Sequence, residues 1–133
     1  MDLPCISMVI GWECCWPAAV DFIRREKLNE FFPGRHARVG IVTLGGLYNT
    51  TLRAMELLGC ATTFGDVDVP LYVLNVAYPL MEQEFIEFCT GKDAILLIEE
   101  GQPDYIESSV ETLDLLQFCC IQSEDRLMMD QSI

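Results

Sequence analysis

The sequence has a single histidine, His36, and none of its seven cysteines forms a C-x-x-C pair. One histidine excludes a multi-histidine zinc centre. A Ser-His-Asp or Cys-His site would have to be built on a residue ahead of the first strand, with no G-x-S-x-G elbow in the chain. The cysteines, at 5, 14, 15, 60, 89, 119 and 120, include two adjacent pairs. Iron–sulfur and structural zinc sites usually take two thiolates from a short spaced pair, which adjacent cysteines serve poorly. Basic residues are also scarce, 8 against 21 acidic, for a net charge of −13. That balance repels phosphate backbones and anionic bilayers, so no nucleic acid and no membrane is expected as a partner. No apolar run is long enough to span a bilayer. Met1 to Trp16 lacks a basic lead and contains Glu13, so it does not read as a targeting segment. With no secretion signal, the odd number of cysteines points to free thiols in a reducing, cytoplasmic setting.

What is present describes one domain. A chain of 133 residues, 51% hydrophobic and 22% charged, suffices for one core. Residues 1–53 carry six basic against five acidic residues, and residues 54–133 carry two against sixteen. Five basic residues and His36 lie between Arg24 and Arg38. They read first as a solvated helix face with its following loop, and second as a patch for an anion or acidic partner.

Periodicity then alternates between two kinds of segment. Pro17 opens a predicted helix to Phe32, with Val20, Ile23, Leu28 and Phe31 at helical spacing, and Pro33-Gly34 stops it. Val39–Leu44 is a buried strand ending in Gly45-Gly46. Asn49 or Thr50 caps a helix to Leu58. Leu71–Val76 is a second strand, Pro79 opens a second such helix, and Ala94–Ile98 is a third strand. Pro103 opens a last helix carrying Ile106, Val110, Leu113 and Leu116. Strands apolar on both faces, alternating with helices, predict an α/β three-layer sandwich with a mainly parallel sheet. The domain is assigned to residues 17–117. The head, 1–16, and the tail, 118–133, fit poorly; the tail shows no strand pattern. These ends read either as decorations or, preferentially, as sequence translated from something other than the domain's normal continuation, as at a misread gene boundary.

In an open parallel sheet, ligands bind beyond the carboxyl ends of the strands. The candidate crevice is therefore Gly45, Gly46, Tyr48 and Asn49 after the first strand, Asn75 and Tyr78 after the second, and Glu99 and Glu100 after the third. Gly45-Gly46 is neither a G-x-G-x-x-G fingerprint nor a P-loop, and reads first as a plain strand-to-helix turn and second as a place where an anion approaches the backbone. Glu99 and Glu100 could supply a general base or a metal ligand. Adjacent strand residues point to opposite faces, which argues against their acting as a pair.

Gly40-Ile41-Val42-Thr43-Leu44-Gly45-Gly46-Leu47-Tyr48-Asn49 and Leu97-Ile98-Glu99-Glu100-Gly101-Gln102-Pro103, with Pro70–Asn75 and Tyr78-Pro79-Leu80 between them, resemble a known family. It is the thiamine-diphosphate-dependent 2-oxoacid:ferredoxin oxidoreductases. The likeness is nearest to the transketolase C-terminal-like domain of the large subunit of indolepyruvate:ferredoxin oxidoreductase, over residues 17–107. The resemblance implies an enzyme that oxidatively decarboxylates aryl 2-oxoacids to acyl-coenzyme A and passes electrons to ferredoxin. In the full-length family enzyme it implies thiamine diphosphate (thiamine pyrophosphate), magnesium and 4Fe-4S iron–sulfur clusters. The sequence has no Gly-Asp-Gly followed at a distance by Asn, so no catalytic, cofactor-binding or metal-ligating residue is carried over.

The leading expectation is thus a domain fragment of an oxidoreductase subunit, inactive alone, whose partners are the other domains and subunits, with ferredoxin for the complex. The alternative is a free-standing α/β module that holds a small anionic ligand at the Gly45-Gly46 turn. A third reading is an independent enzyme using Glu99 or Glu100. A sheet of only three strands would be weakly stable or self-associate through its edges.

Overall fold

A computed structural model describes residues 5–100, 105–111 and 118–122, by backbone alone at 5–14, 111 and 118–122. The elements, in order, are α1 (Cys5–Glu26), β1 (Glu30–Phe32), β2 (Val39–Leu44), a 3-10 turn (Gly45–Leu47), α2 (Tyr48–Leu57), β3 (Leu71–Leu74), α3 (Glu82–Cys89), β4 (Ala94–Glu99), α4 (Tyr105–Glu111) and β5 (Phe118–Gln122). One five-stranded sheet has the order β1-β3-β2-β4-β5. Its last four members are parallel, and β1 runs antiparallel on the β3 edge. The expected mainly parallel α/β architecture is the one observed.

Strand alternation divides the core between the two faces of the sheet. Ile41, Leu71 and Val73 pack with Met55 of α2 and Val67, with Leu96 and Ile98 against them. Val42, Tyr72, Leu74, Ile95 and Leu97 point the other way, onto Phe85, Phe88 and Cys89 of α3 and Ile106 and Val110 of α4. One helix therefore covers one face and two cover the other. The chain steps from β2 outward to β3, then crosses back over β2 to β4. The connections reverse direction between β2 and β4, which makes that pair the topological switch point.

Five local expectations are corrected. The helix predicted from Pro17 to Phe32 instead spans Cys5–Glu26 with Pro17 inside it, since a proline removes one ladder bond without forbidding a longer helix. Phe31 and Phe32 leave that helix for β1, where Phe31 stacks on Tyr72 with ring centroids 4.3 Å apart. Asn49 and Thr50 do not cap α2. The 3-10 turn feeds straight into it, with the Tyr48 N–H donating to the Gly45 carbonyl. Pro79 follows a cis bond from Tyr78, and the helix begins only at Glu82. The tail, read as having no strand, supplies β5 beside β4, so the sheet continues beyond residue 107. Leu113 and Leu116 lie outside the described residues.

Among the described residues, no helix is long and apolar enough to cross a membrane.

Candidate functional site

The C-terminal ends of β2, β3 and β4 share one rim. Thr43 is in register with Val73 and with Ile98, so the segments that follow, Leu44–Asn49, Asn75–Tyr78 and Glu99–Glu100, leave the sheet together. The switch point puts the Gly45-Gly46 turn and the Glu99-Glu100 pair on either side of the natural crevice.

The eight candidate residues divide by what already occupies them. Asn75 Nδ2 donates to the Leu28 carbonyl at 2.8 Å and to Glu30 Oε1 at 2.9 Å, tying the rim to the start of β1. Gly45 lies tight against Asn75: a Cβ there would collide with Asn75 Oδ1 and meet its Cα at 3.4 Å. Glycine is needed for that close approach. Gly46 has open space where a Cβ would stand, and Asn49 is exposed. Tyr48 turns away from the crevice and stacks on Phe32, 5.4 Å between centroids. Tyr78 joins an aromatic cluster, edge-on to Trp16 at 5.2 Å and tilted against Tyr105 at 6.0 Å.

Glu99 and Glu100 separate as strand alternation requires. Glu100 is exposed, whereas Glu99 is 6% exposed on the α3 and α4 face. Its Oε1 and Oε2 accept from the Ile106 N–H at 3.0 and 3.3 Å. A carboxylate at the first turn of a helix satisfies an orphan N–H and complements the helix dipole. Glu99 is thereby engaged in holding α4. Asn75 and Tyr78 are exposed but engaged by these contacts; Gly46, Asn49 and Glu100 are the exposed candidates that none of these contacts occupies.

A second constellation escaped sequence reasoning. Asn29, Tyr72 and Glu84 come from the α1–β1 link, β3 and α3. The Tyr72 hydroxyl donates to Glu84 Oε2 at 3.0 Å. Asn29 Nδ2 lies 3.2 Å from both the tyrosine oxygen and Glu84 Oε2, and Asn29 Oδ1 accepts from the Val76 N–H at 3.0 Å. Burial, reinforced by the Glu84 charge, drives the phenol well above its ordinary range and keeps it a donor. The available signal was Tyr72 itself, a hydroxyl in an otherwise apolar buried strand, which must find a partner. Above this cluster lies a groove of about 610 Å3, floored by β1 and lined by Arg24, Lys27, Gln83, Glu84 and Glu87.

The Arg24–Arg38 region splits up in the structure. Arg35 Nε reaches Asp68 at 2.9 Å, Arg38 pairs with Asp93, and His36 is exposed. Among the described residues, no three His, Cys, Asp or Glu side chains gather as a metal ion would require. Burial pushes the Cys89 thiol up to about 11, against the opposing pull of Lys92. It is therefore protonated at neutral pH, the wrong form for ligation. The described side chains do not fit a magnesium diphosphate or a thiolate-held cluster.

Comparison with curated proteins and with solved structures returns no match. A family model, described as the indolepyruvate oxidoreductase domain, matches residues 29–113. That span holds β1 to β4 with α2, α3 and α4, the whole switch point and its rim, and starts at the buried Asn29. A match over more than half of the sequence decides the assignment: the chain belongs to the indolepyruvate oxidoreductase domain family.

Proposed function

We propose that this chain supplies the structural, interdomain α/β domain of a thiamine-diphosphate-dependent indolepyruvate:ferredoxin oxidoreductase subunit, and that it does not turn over substrate alone. The family match over residues 29–113 carries this reading. The chemistry of the rim supports it. Glu99, the buried one of the two carboxylates, is engaged with α4, and Asn75 with β1. Thiamine diphosphate, magnesium and 4Fe-4S clusters then belong to the other domains and subunits of a cytoplasmic complex that reduces ferredoxin. This domain packs between them through its rim.

The test is direct. Purified chain is assayed with indolepyruvate, coenzyme A, thiamine diphosphate, magnesium and oxidised ferredoxin, alone and after addition of the remaining parts of such an enzyme. No turnover alone, with capture of those parts in a pull-down, is expected. Ferredoxin reduction by the chain alone would overturn the reading.

The open position at Gly46 favours a second reading, an anion held at the Gly45-Gly46 turn next to the switch point. Calorimetric titration with thiamine diphosphate and with coenzyme A distinguishes the two. Gly46→Asp adds only a charge in open space, so saturable binding abolished by that substitution would establish an anion module.

A further inference from the structure

We propose that the free edge of β1 is a self-association surface, on which a second copy of this chain adds its own β1 antiparallel about Phe31. This inference concerns the edge opposite β5 and is independent of the enzyme assignment.

Three observations carry it. First, among the described residues β1 pairs only with β3, so its outer side is an open strand edge, and all three residues of β1 line the groove of about 610 Å3. Strand edges left open are templates for strand addition. Second, Phe31 sits mid-strand, one ring face stacked on Tyr72, yet it is 49% exposed. A two-fold axis beside it would bring two such rings together at the centre of the contact. Third, the charges are arranged to be self-complementary. Arg24 and Lys27 precede Glu30 and lie at the N-terminal end of β1; among the described residues neither side chain has an ionic partner. Glu84 is tied to Asn29 at that same end, and α3 runs alongside β1 in the same sense, so Glu87, nearly one turn on, lies toward the other end. Among the described residues, Glu87 accepts a hydrogen bond only from Gln83 on its own helix. A two-fold rotation about Phe31 therefore carries the unpaired cations of one copy toward Glu87 of the other, twice per dimer. Isologous contacts require this kind of self-complementarity.

Sedimentation equilibrium of the full chain tests the proposal. A reversible dimer, weakened by added salt, is expected. Phe31→Lys should weaken it by roughly tenfold or more. Because that ring also packs on Tyr72, the decisive variants are charge reversals at exposed positions. The double substitution R24E/K27E and the single substitution E87K should each abolish the dimer. Mixing the two variant chains should restore a heterodimer, since each then presents the other with opposite charge. A monomer at every concentration, a dimer indifferent to both reversals, or failure of the mixture to recover association would overturn the proposal.

Discussion

Replacing Glu99 by Ala strips the Ile106 N–H of both its acceptors in a buried setting. The expected loss is about 1–3 kcal/mol in urea unfolding. The same change at Glu100, exposed at the next position, should stay within about 0.5 kcal/mol. A difference in the reverse order would contradict the capping role. Gly45 and Gly46 form a similar pair. Gly45→Ala forces its methyl onto Asn75 and should cost about 1–3 kcal/mol, whereas Gly46→Ala meets nothing. Both contrasts lie between neighbours of one residue type, which is why the sequence marked both members and could not rank them. Which glycine the fold requires is decided by Asn75, thirty residues away. Which glutamate is occupied is decided by strand parity, which was legible, and by the start of α4, which was not.

At the scale of elements, β2 and α2 are joined by a buried hydroxyl pair, Thr43 Oγ1 to Thr51 Oγ1 at 3.3 Å. Thr43→Val alone leaves Thr51 without that partner and should destabilise by about 1–3 kcal/mol. The double change Thr43→Val/Thr51→Val should recover part of the loss. Additive losses in the cycle would show the hydroxyls to be uncoupled. The strands β2, β3 and β4 were readable because both of their faces are buried, so their sequences are continuous apolar runs. The edge strand β1 was not. Its three residues continue the helical spacing of Ile23 and Leu28, and only pairing with β3 makes them extended. The fifth strand was missed for a related reason: Phe118–Gln122 alternates no polar face, and its partner β4 defines it.

For the molecule as a whole, a sheet covered by α2 on one side and by α3 and α4 on the other should exchange its amide hydrogens most slowly at β2, flanked by β3 and β4. In the monomer, at concentrations too low for self-association, exchange should be fastest at the β1 edge. Uniform protection across the strands would argue against this layering. Alkaline pH should loosen the fold in a defined window. The unfolded chain releases the Cys89 proton near the ordinary 9.0, while the folded chain holds it to about 11. The unfolded state then binds fewer protons, so stability should fall as pH rises between those values and be intact below them. Cys89→Ala should flatten that part of a urea-midpoint profile, and an unchanged slope would refute the assignment. Glu99 also has a practical implication for protein engineers. Because this carboxylate clamps α4, anyone grafting a new activity onto the scaffold should recruit Glu100, Asn49 and position 46, whose side chains can be rewritten without unfastening a helix.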